Sequence, residues 1–330
     1  MPRPVVRPVV VVLCSGERPP AAQLEPLQEL VELRHTDAEG LLDALADARA
    51  LLHWDAPAGT LEGAWEHAAR LEWVHVAAAG VDGLRFPGLS ESSVVMTNAR
   101  GVYDRPIAEF VLASVLARAK DVHRSHELQQ AGVWEPRETR TVLGSTALVV
   151  GTGAIGRETA RLLRAVGMQV RGAARRARDG DPDFDAVVAS DELAEHVGWA
   201  DHVVVLAPLT DSTRDLVDAT VIARMKPGAH LVNMGRGAIV DEEALVAALE
   251  SGHLGAATLD VFRTEPLPAD HPLWSTRGVV VSPHMSGDVV GWQDTAARQF
   301  ADNVRRWVAG EPLVNVVDKQ LGFSDPSQRA

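Results

Sequence analysis

The chain has 330 residues, 46% of them hydrophobic and 23% charged, with a formal net charge of −13 at pH 7. That length predicts two domains, the apolar content suffices for two cores, and the acidic balance argues against non-specific attraction to nucleic acid or an anionic membrane. A single cysteine, Cys14, precludes an intramolecular disulfide and a thiolate metal cluster, a usage that suits the reducing cytoplasm.

Arg3 and Arg7 precede the apolar run 8–14 and superficially resemble a secretory signal. The run is short, lacks a convincing A-x-A cleavage site and leads into Gly16-Glu-Arg-Pro-Pro20, so a first buried strand explains it better. No stretch approaches the roughly 18 uninterrupted apolar residues of a membrane span. Over residues 1–100, strand-like runs at 9–14, 31–35, 50–54, 71–76 and 94–98 alternate with helical ones at 22–30, 37–48 and 61–69. Such alternation implies a parallel sheet with helices on its faces. This half lacks a glycine-rich phosphate fingerprint and is the poorer candidate for cofactor binding.

Asp104 and Pro106 mark a helix start, and 107–117 is apolar on nearly every side, which predicts burial in the core or against another subunit. The polar stretch 118–140 reads as a connecting arm. Its His123-x-x-His126 pair would share one face of a helix, as two metal ligands do; without cysteine or an acidic cluster it reads as solvated surface, and no metal is expected.

The alternation then resumes with strands at 147–150, 169–174, 186–189, 201–207, 230–234, 256–262 and 279–282. Between the first two lies Gly151-Thr-Gly-Ala-Ile-Gly156, a G-x-G-x-x-G turn opening a helix over 154–166. Its glycines answer three demands: a tight turn, close backbone approach to a pyrophosphate, and close packing of helix on strand. Strand, turn, helix and second strand in that order identify a dinucleotide site, with the pyrophosphate at the helix N-terminus, where a glycine pattern alone would not. A helix over 241–249 has an acidic start and a Ser251-Gly252 stop. The last helix, 291–309, carries Ala296, Phe300, Val304 and Trp307 and is expected to return to the first domain; the polar end 319–330 is expected to fray.

Ligands of open α/β sheets bind beyond the carboxyl ends of the strands. There the chain places Arg236, then Asp260 and Glu265, then His284. A 2-hydroxy acid dehydrogenase needs these types: a guanidinium fork for a carboxylate and its adjacent carbonyl, an imidazole for proton transfer, and a carboxylate that orients the ring and favours imidazolium. Each has a plain alternative: His284 as a satisfied loop histidine, Arg236 as a partner for the helix-start carboxylates, Glu265 as a solvated charge before Pro266. Their joint occurrence at strand ends behind a dinucleotide fingerprint favours the catalytic reading.

These residues resemble the D-isomer-specific 2-hydroxyacid dehydrogenase family, particularly its glyoxylate and hydroxypyruvate reductase branch. The matching runs are Gly151–Gly156, Leu206-Ala-Pro-Leu-Thr210, Asn233-Met-Gly-Arg-Gly-Ala-Ile-Val-Asp241, Leu259-Asp-Val-Phe262 with Glu265-Pro266, and Ser282-Pro-His284, together with Ala78-Ala-Gly-Val-Asp82 and Thr97-Asn98. The resemblance implies an α/β fold of two domains, a Rossmann-type doubly wound coenzyme domain (101–287) inserted into a flavodoxin-like substrate domain (1–100 and 288–330). It implies Arg236 as carboxylate binder with backbone N–H groups at Ala79 and Gly80, Glu265 and His284 as acid-base pair, and Asp260 as a support on the cofactor side. It further implies cofactor contacts at Gly151, Gly153, Ala154, Ile155, Gly156, Ala207, Pro208, Met234 and Gly287, a homodimer, and closure of the two domains over the substrate. Phosphite oxidisers of this pattern place a lysine where Ala79 stands, and formate enzymes generally replace the residue at Glu265, so both activities are disfavoured. A redox-sensing binding protein of the corepressor type is the alternative from another class.

Two further expectations concern selectivity. An acidic residue about 20 positions after the glycine turn accepts hydrogen bonds from the ribose 2′-OH in NAD-binding units. Here the second strand ends Arg171-Gly-Ala-Ala-Arg-Arg-Ala-Arg178, without a carboxylate to repel a 2′-phosphate and with Arg175 and Arg176 to clamp it, so NADP(H) is expected ahead of NAD(H). Trp54, Trp134 and Trp292 are candidates to line the substrate pocket, with core or interface packing the alternative for each.

Overall fold

Short runs dominated by valine, leucine and alanine form the strands of two parallel sheets, as runs buried on both faces do. The computed structural model describes residues 7–322; Arg3 lies outside them. The chain divides into two compact units, one formed by residues up to Tyr103 together with those from Val290 onward, the other by Asp104–Val289.

In the first unit β1 (Val9–Leu13), β2 (Glu32–Thr36), β3 (Ala48–His53), β4 (Trp73–Val76) and β5 (Val95–Asn98) are ordered β2-β1-β3-β4-β5. All pairs are parallel, which gives the flavodoxin-like order. The helices between them are shorter than the apolar pattern predicts. Pro26 has no N–H to donate, so 22–30 breaks into Ala21–Leu24 and a 3-10 turn, Glu25–Glu29. Asp37 accepts the N–H groups of Glu39 and Gly40 at 3.1 Å, which delays the next helix to Leu41–Leu45, and Ala48 already belongs to β3. Residues 61–69 divide at Gly63 into Thr60–Gly63 and a 3-10 turn, Trp65–His67. The helix Trp292–Ala309 belongs to this unit and buries Ala296, Phe300 and Val304; Phe300 stacks on Trp73 with centroids 5.4 Å apart. The start of the polar C-terminal stretch is anchored where fraying was expected, since Lys319 Nζ donates to the carbonyls of Leu89, Ser92 and Val94 at 3.0, 2.7 and 2.9 Å. Its residues 323–330 lie outside the described ones.

The second unit holds β6 (Thr146–Val150), β7 (Gln169–Ala174), β8 (Val187–Ala189), β9 (His202–Val205), β10 (His230–Asn233), β11 (Ala256–Leu259) and β12 (Val279–Val281). The order β12-β11-β10-β9-β6-β7-β8 runs outward from β6 to one side, returns, and continues from β9 to the other. The chain therefore reverses between β6 and β9, the switch point of a doubly wound sheet. The apolar helix Asp104–Ala119 packs along Ala154–Ala165. The polar arm after it contains a helix, Val122–Gln130, with His123 and His126 both exposed. Among the described residues no helix is long and apolar enough to cross a membrane.

At the amino ends of two interior strands, β9 and β10 each begin with a buried histidine. His202 Nδ1 lies 3.2 Å from His230 Nδ1, and His230 Nε2 is 2.9 Å from Thr258 Oγ1. Burial pushes His202 down to about 4 and His230 well below its usual value; Arg118 depresses both, His123 adds to the effect at His230, and Asp201 opposes it at His202. A histidine with a depressed folded-state pKa leaves the unfolded chain taking up more protons below about pH 6.5, so stability falls as pH falls toward the folded value. Buried His75 in the other unit, held down to about 3, acts in the same sense. The thermal midpoint is expected to drop between about pH 7 and about pH 5, and the double variant His202→Gln, His230→Gln to flatten that dependence. A variant curve parallel to wild type would contradict the assignment.

Candidate active site

At the switch point the three glycines of the turn occupy unlike surroundings. Gly151 has φ +108°, and a Cβ there would lie 2.6 Å from Ala207 N and 2.7 Å from Leu206 O. A Cβ at Gly156 would lie 1.9 Å from Gly151 O, so this glycine lets the helix seat on the turn. Gly153 meets nothing within 4 Å. It is the N-cap of Ala154–Ala165, with no side chain capping that helix. Two glycines answer to packing, while the third leaves open room over uncapped helix N–H groups, a cradle that fits a pyrophosphate. Ala154 and Ile155 begin the helix half-buried. Ala207 and Met234 are buried just past β9 and β10, Gly287 is buried past β12, and Pro208 is exposed.

Ala174, the last residue of β7, is half-buried, and Arg175 and Arg176 just past it are exposed. Carboxylates do lie nearby, a correction to the purely basic reading of this segment. Asp181 accepts from Arg178 Nε and from both terminal nitrogens of Arg157, at 2.9 Å each. Asp183 accepts from Arg157 and Arg161 at 2.8 Å. Burial disfavours the Asp181 charge, but Arg157, the Asp183 N–H and Arg178 outweigh it and hold the carboxyl down to about 2. Arg178 lies three residues from Asp181, but the other partners, Arg157 and Arg161, come from the helix Ala154–Ala165, which spacing along the chain did not show.

Arg236, Glu265 and His284 lie past the carboxyl ends of β10, β11 and β12. Arg236 stands between two closely packed glycines: a Cβ at Gly235 would lie a tight 3.0 Å from Ala207 O, and one at Gly237, 1.9 Å from Phe262 C, has no room at all. Its main chain is fixed by Asn233 Nδ2, which donates to Arg236 O at 3.1 Å. Glu265 is held at both oxygens, by the N–H of Phe262 at 2.9 Å and by His284 Nδ1 at 2.7 Å. An ionised carboxylate only accepts, so Nδ1 carries the proton and Nε2 is the ring's other working atom. The hydrogen bond to Glu265 raises the His284 pKa, while burial and Arg236 oppose it. At Glu265 burial resists ionisation, but His284, the Phe262 N–H and Arg236 together lower its pKa. Asp288, overlooked in the sequence, also senses the His284 charge; burial raises its pKa.

Asp260 turns out to be a support for the His284 loop. It is 1% exposed. Its carboxylate accepts the Ser282 hydroxyl and the N–H groups of Met285 and Ser286, the last two at 2.9 Å, while its carbonyl takes the His284 N–H at 2.8 Å. His284 itself is left-handed, φ +53°, a conformation a non-glycine residue keeps only where its surroundings impose it.

In the other unit, Ala79 and Gly80 follow β4, half-buried. The loop is tied by Tyr103 Oη to Ala77 O at 2.6 Å, by Asn98 Nδ2 to Ala79 O at 2.6 Å, and by the Ala99 N–H to Ala78 O at 3.0 Å. Tyr103, the only tyrosine, is a residue that motif reading missed. It packs on Trp292 (5.8 Å between centroids), which stacks on buried Trp54 at 5.9 Å. Trp134 is 94% exposed and joins no such cluster.

A Rossmann sheet with this cradle defines a dinucleotide-binding domain. The profile of the D-isomer specific 2-hydroxyacid dehydrogenase NAD binding domain matches residues 112–286. The (S)-sulfolactate dehydrogenase of Chromohalobacter salexigens is 36% identical over 230 residues, which is 69% of this chain and 74% of the relative. Glyoxylate/hydroxypyruvate reductase A of Serratia proteamaculans is 31% identical over 260 residues, 77% of this chain and 82% of the relative. A solved D-isomer specific 2-hydroxyacid dehydrogenase from Xanthobacter autotrophicus, in complex with NADPH and MES, superposes with a TM-score of 0.81 at 33% identity, covering 95% of this chain and 99% of that one. The chain belongs to the D-isomer specific 2-hydroxyacid dehydrogenase family.

The ion pair makes a prediction independent of turnover. In the cofactor-free protein the His284 ring is expected to titrate above about 6.5, followed by NMR of its ring nitrogens. Glu265→Gln removes the favouring charge and is expected to bring the value down, with Arg236 and Asp288 still facing the ring. An unmoved titration would separate Glu265 from His284.

Proposed function

We propose that this enzyme reduces a small 2-keto acid of the glyoxylate and hydroxypyruvate class to the corresponding 2-hydroxy acid, with NADPH as preferred donor. The carrying observation is the 2.7 Å contact between His284 and Glu265, with the Arg236 charge acting on both. Arg236 grips the substrate carboxylate by its planar fork, helped by the N–H groups of Ala79 and Gly80. His284 Nε2 gives its proton to the carbonyl oxygen as reduction proceeds and takes one from the hydroxyl in reverse. Glu265 keeps the proton on Nδ1 and stabilises the imidazolium. Asp260 sets the pose of the loop that carries the ring. The nicotinamide, when bound at the fingerprint turn, supplies the hydride.

The Serratia relative is named for glyoxylate and hydroxypyruvate reduction, which supports the substrate class. The NADPH of the Xanthobacter structure supports the cofactor, as do Arg175 and Arg176. We read the protein as a cytoplasmic homodimer; Val122, Val133, Trp134 and Leu143, all in the segment after the apolar helix, are exposed apolar side chains available to a second copy.

His284→Ala, folded and cofactor-saturated, is expected to lose about 10²- to 10⁴-fold in kcat. Arg236→Lys keeps the charge but loses the two-point grip, so keto-acid reduction should fall far more than cofactor affinity. Wild-type kcat in the first variant, or equal losses in the second, would refute the assigned roles. Absence of turnover by the wild type across glyoxylate, hydroxypyruvate and phenylpyruvate would favour a dinucleotide-sensing binding protein. In a separate comparison, kcat/KM should favour NADPH over NADH, and Arg175→Ala and Arg176→Ala should each erode that preference; a wild-type preference for NADH would overturn the cofactor reading.

A further inference from the structure

Arg178 lies just past the two arginines assigned above to the 2′-phosphate, yet it reaches back to the pyrophosphate turn. Its Nη2 donates to Thr152 Oγ1 at 3.0 Å, and Thr152 stands between Gly151 and Gly153. Its Nε donates to Asp181 Oδ2 at 2.9 Å, and its backbone N–H to Val187 O at 3.0 Å. One guanidinium thus joins the turn expected to hold the pyrophosphate to the loop expected to hold the 2′-phosphate. The Asp181 side chain is 2% exposed and is shared with Arg157, on the helix that begins at the same turn. Arg157 in turn binds Asp183, which also binds Arg161.

An exposed carboxylate near an anionic phosphate is a penalty that an NAD-selective site uses on purpose. Here the carboxylate is withdrawn from solvent and countered from two sides. Removing Arg178 would take from Asp181 one of its two cationic partners, leaving Arg157 and the Asp183 N–H, and would free the loop from Thr152.

We propose that Arg178 is a positioning residue for cofactor selection, neutralising Asp181 and pinning the 175–183 loop to Thr152 so that Arg175 and Arg176 meet a 2′-phosphate with no bare carboxylate behind them. The inference rests on the NADPH reading above, but its test does not depend on turnover.

Calorimetry on the full-length protein compares adenosine 2′,5′-bisphosphate with 5′-AMP, which lacks the 2′-phosphate, for wild type, Arg178→Gln, Asp181→Asn and the double variant. Arg178→Gln is expected to weaken the bisphosphate by about tenfold, the scale of two unit charges roughly 12 Å apart at an effective dielectric constant of about 20, while 5′-AMP changes little. Asp181→Asn in the same chain removes the bare charge and is expected to recover most of the loss. Equal weakening of both nucleotides, an unchanged ratio, or no recovery in the double variant would overturn the proposal. If Arg178→Gln does not fold, Arg178→Lys keeps the charge and loses the two-point bridge: it is expected to weaken the bisphosphate less than fivefold, and equal weakening of 5′-AMP would overturn the role. An NADH preference in the wild type would overturn the cofactor reading alone, since the nucleotide ratio still reports on Arg178.

Discussion

The second unit is organised by the close approach of three backbone segments at the switch point. Residue 151 has no space for a side chain against Leu206 and Ala207, and residue 156 has none against residue 151. Because Gly151 yields, β6 and β9 stay paired to their carboxyl ends, with the Leu206 N–H on Val150 O at 2.7 Å. Because Gly156 yields, the following helix starts directly over the turn and points its open N–H groups outward. The same contact recurs next door, where Gly235 closes on Ala207 O. Arg236 is therefore referenced, through its neighbouring glycine, to the segment that shapes the cofactor cradle. All strands being parallel, the loops bearing Arg236, Glu265 and His284 emerge on that same edge.

What holds those loops is polar rather than apolar. The 282–286 segment has only short stretches to bury, and its order comes from Asp260, whose carboxylate satisfies three donors from beneath. A buried acceptor used so fully is costly to remove, since each stranded donor loses on the order of 1–3 kcal/mol. This accounts for His284 keeping a left-handed backbone: the loop around it is over-determined. Glu265 then fixes the ring, and the Phe262 N–H fixes Glu265.

Much of this was legible in the residues. The strand at 169–174 forms with those bounds, and the glycine spacing carries its strand, turn and helix. The reasons for the misses are physical. The pattern at 22–30 is helical in its apolar spacing, but Pro26 lacks the N–H that would continue it. The pattern at 37–48 competes with a turn in which Asp37 takes two amides, and with a strand that claims Ala48. Asp260 stands in a motif that marks it as important without saying which donors it meets; those come from a loop more than twenty residues on. Arg178 was one of four arginines in a short run, and only the pairing of β6 with β7, Val150 opposite Ala173, sets it against Thr152.

The charge distribution follows from what the site must attract. A chain of net charge −13 repels a dinucleotide and a keto acid at long range. The carboxyl edge of the second unit opposes that field with the uncapped helix start, Arg236 and the arginines past β7, while the buried carboxylates there, Asp181 and Asp183, are each matched by guanidinium partners. At the amino ends of the strands two ionisable groups are treated in the opposite way: burial keeps His202 and His230 uncharged. The carboxyl ends carry ionised, paired groups; at the amino ends the two strand-borne histidines are kept neutral, while Asp201 beside them is paired with Lys226. Within one parallel sheet, that division lets the strand ends carry ionic chemistry while the strand beginnings are packed for stability.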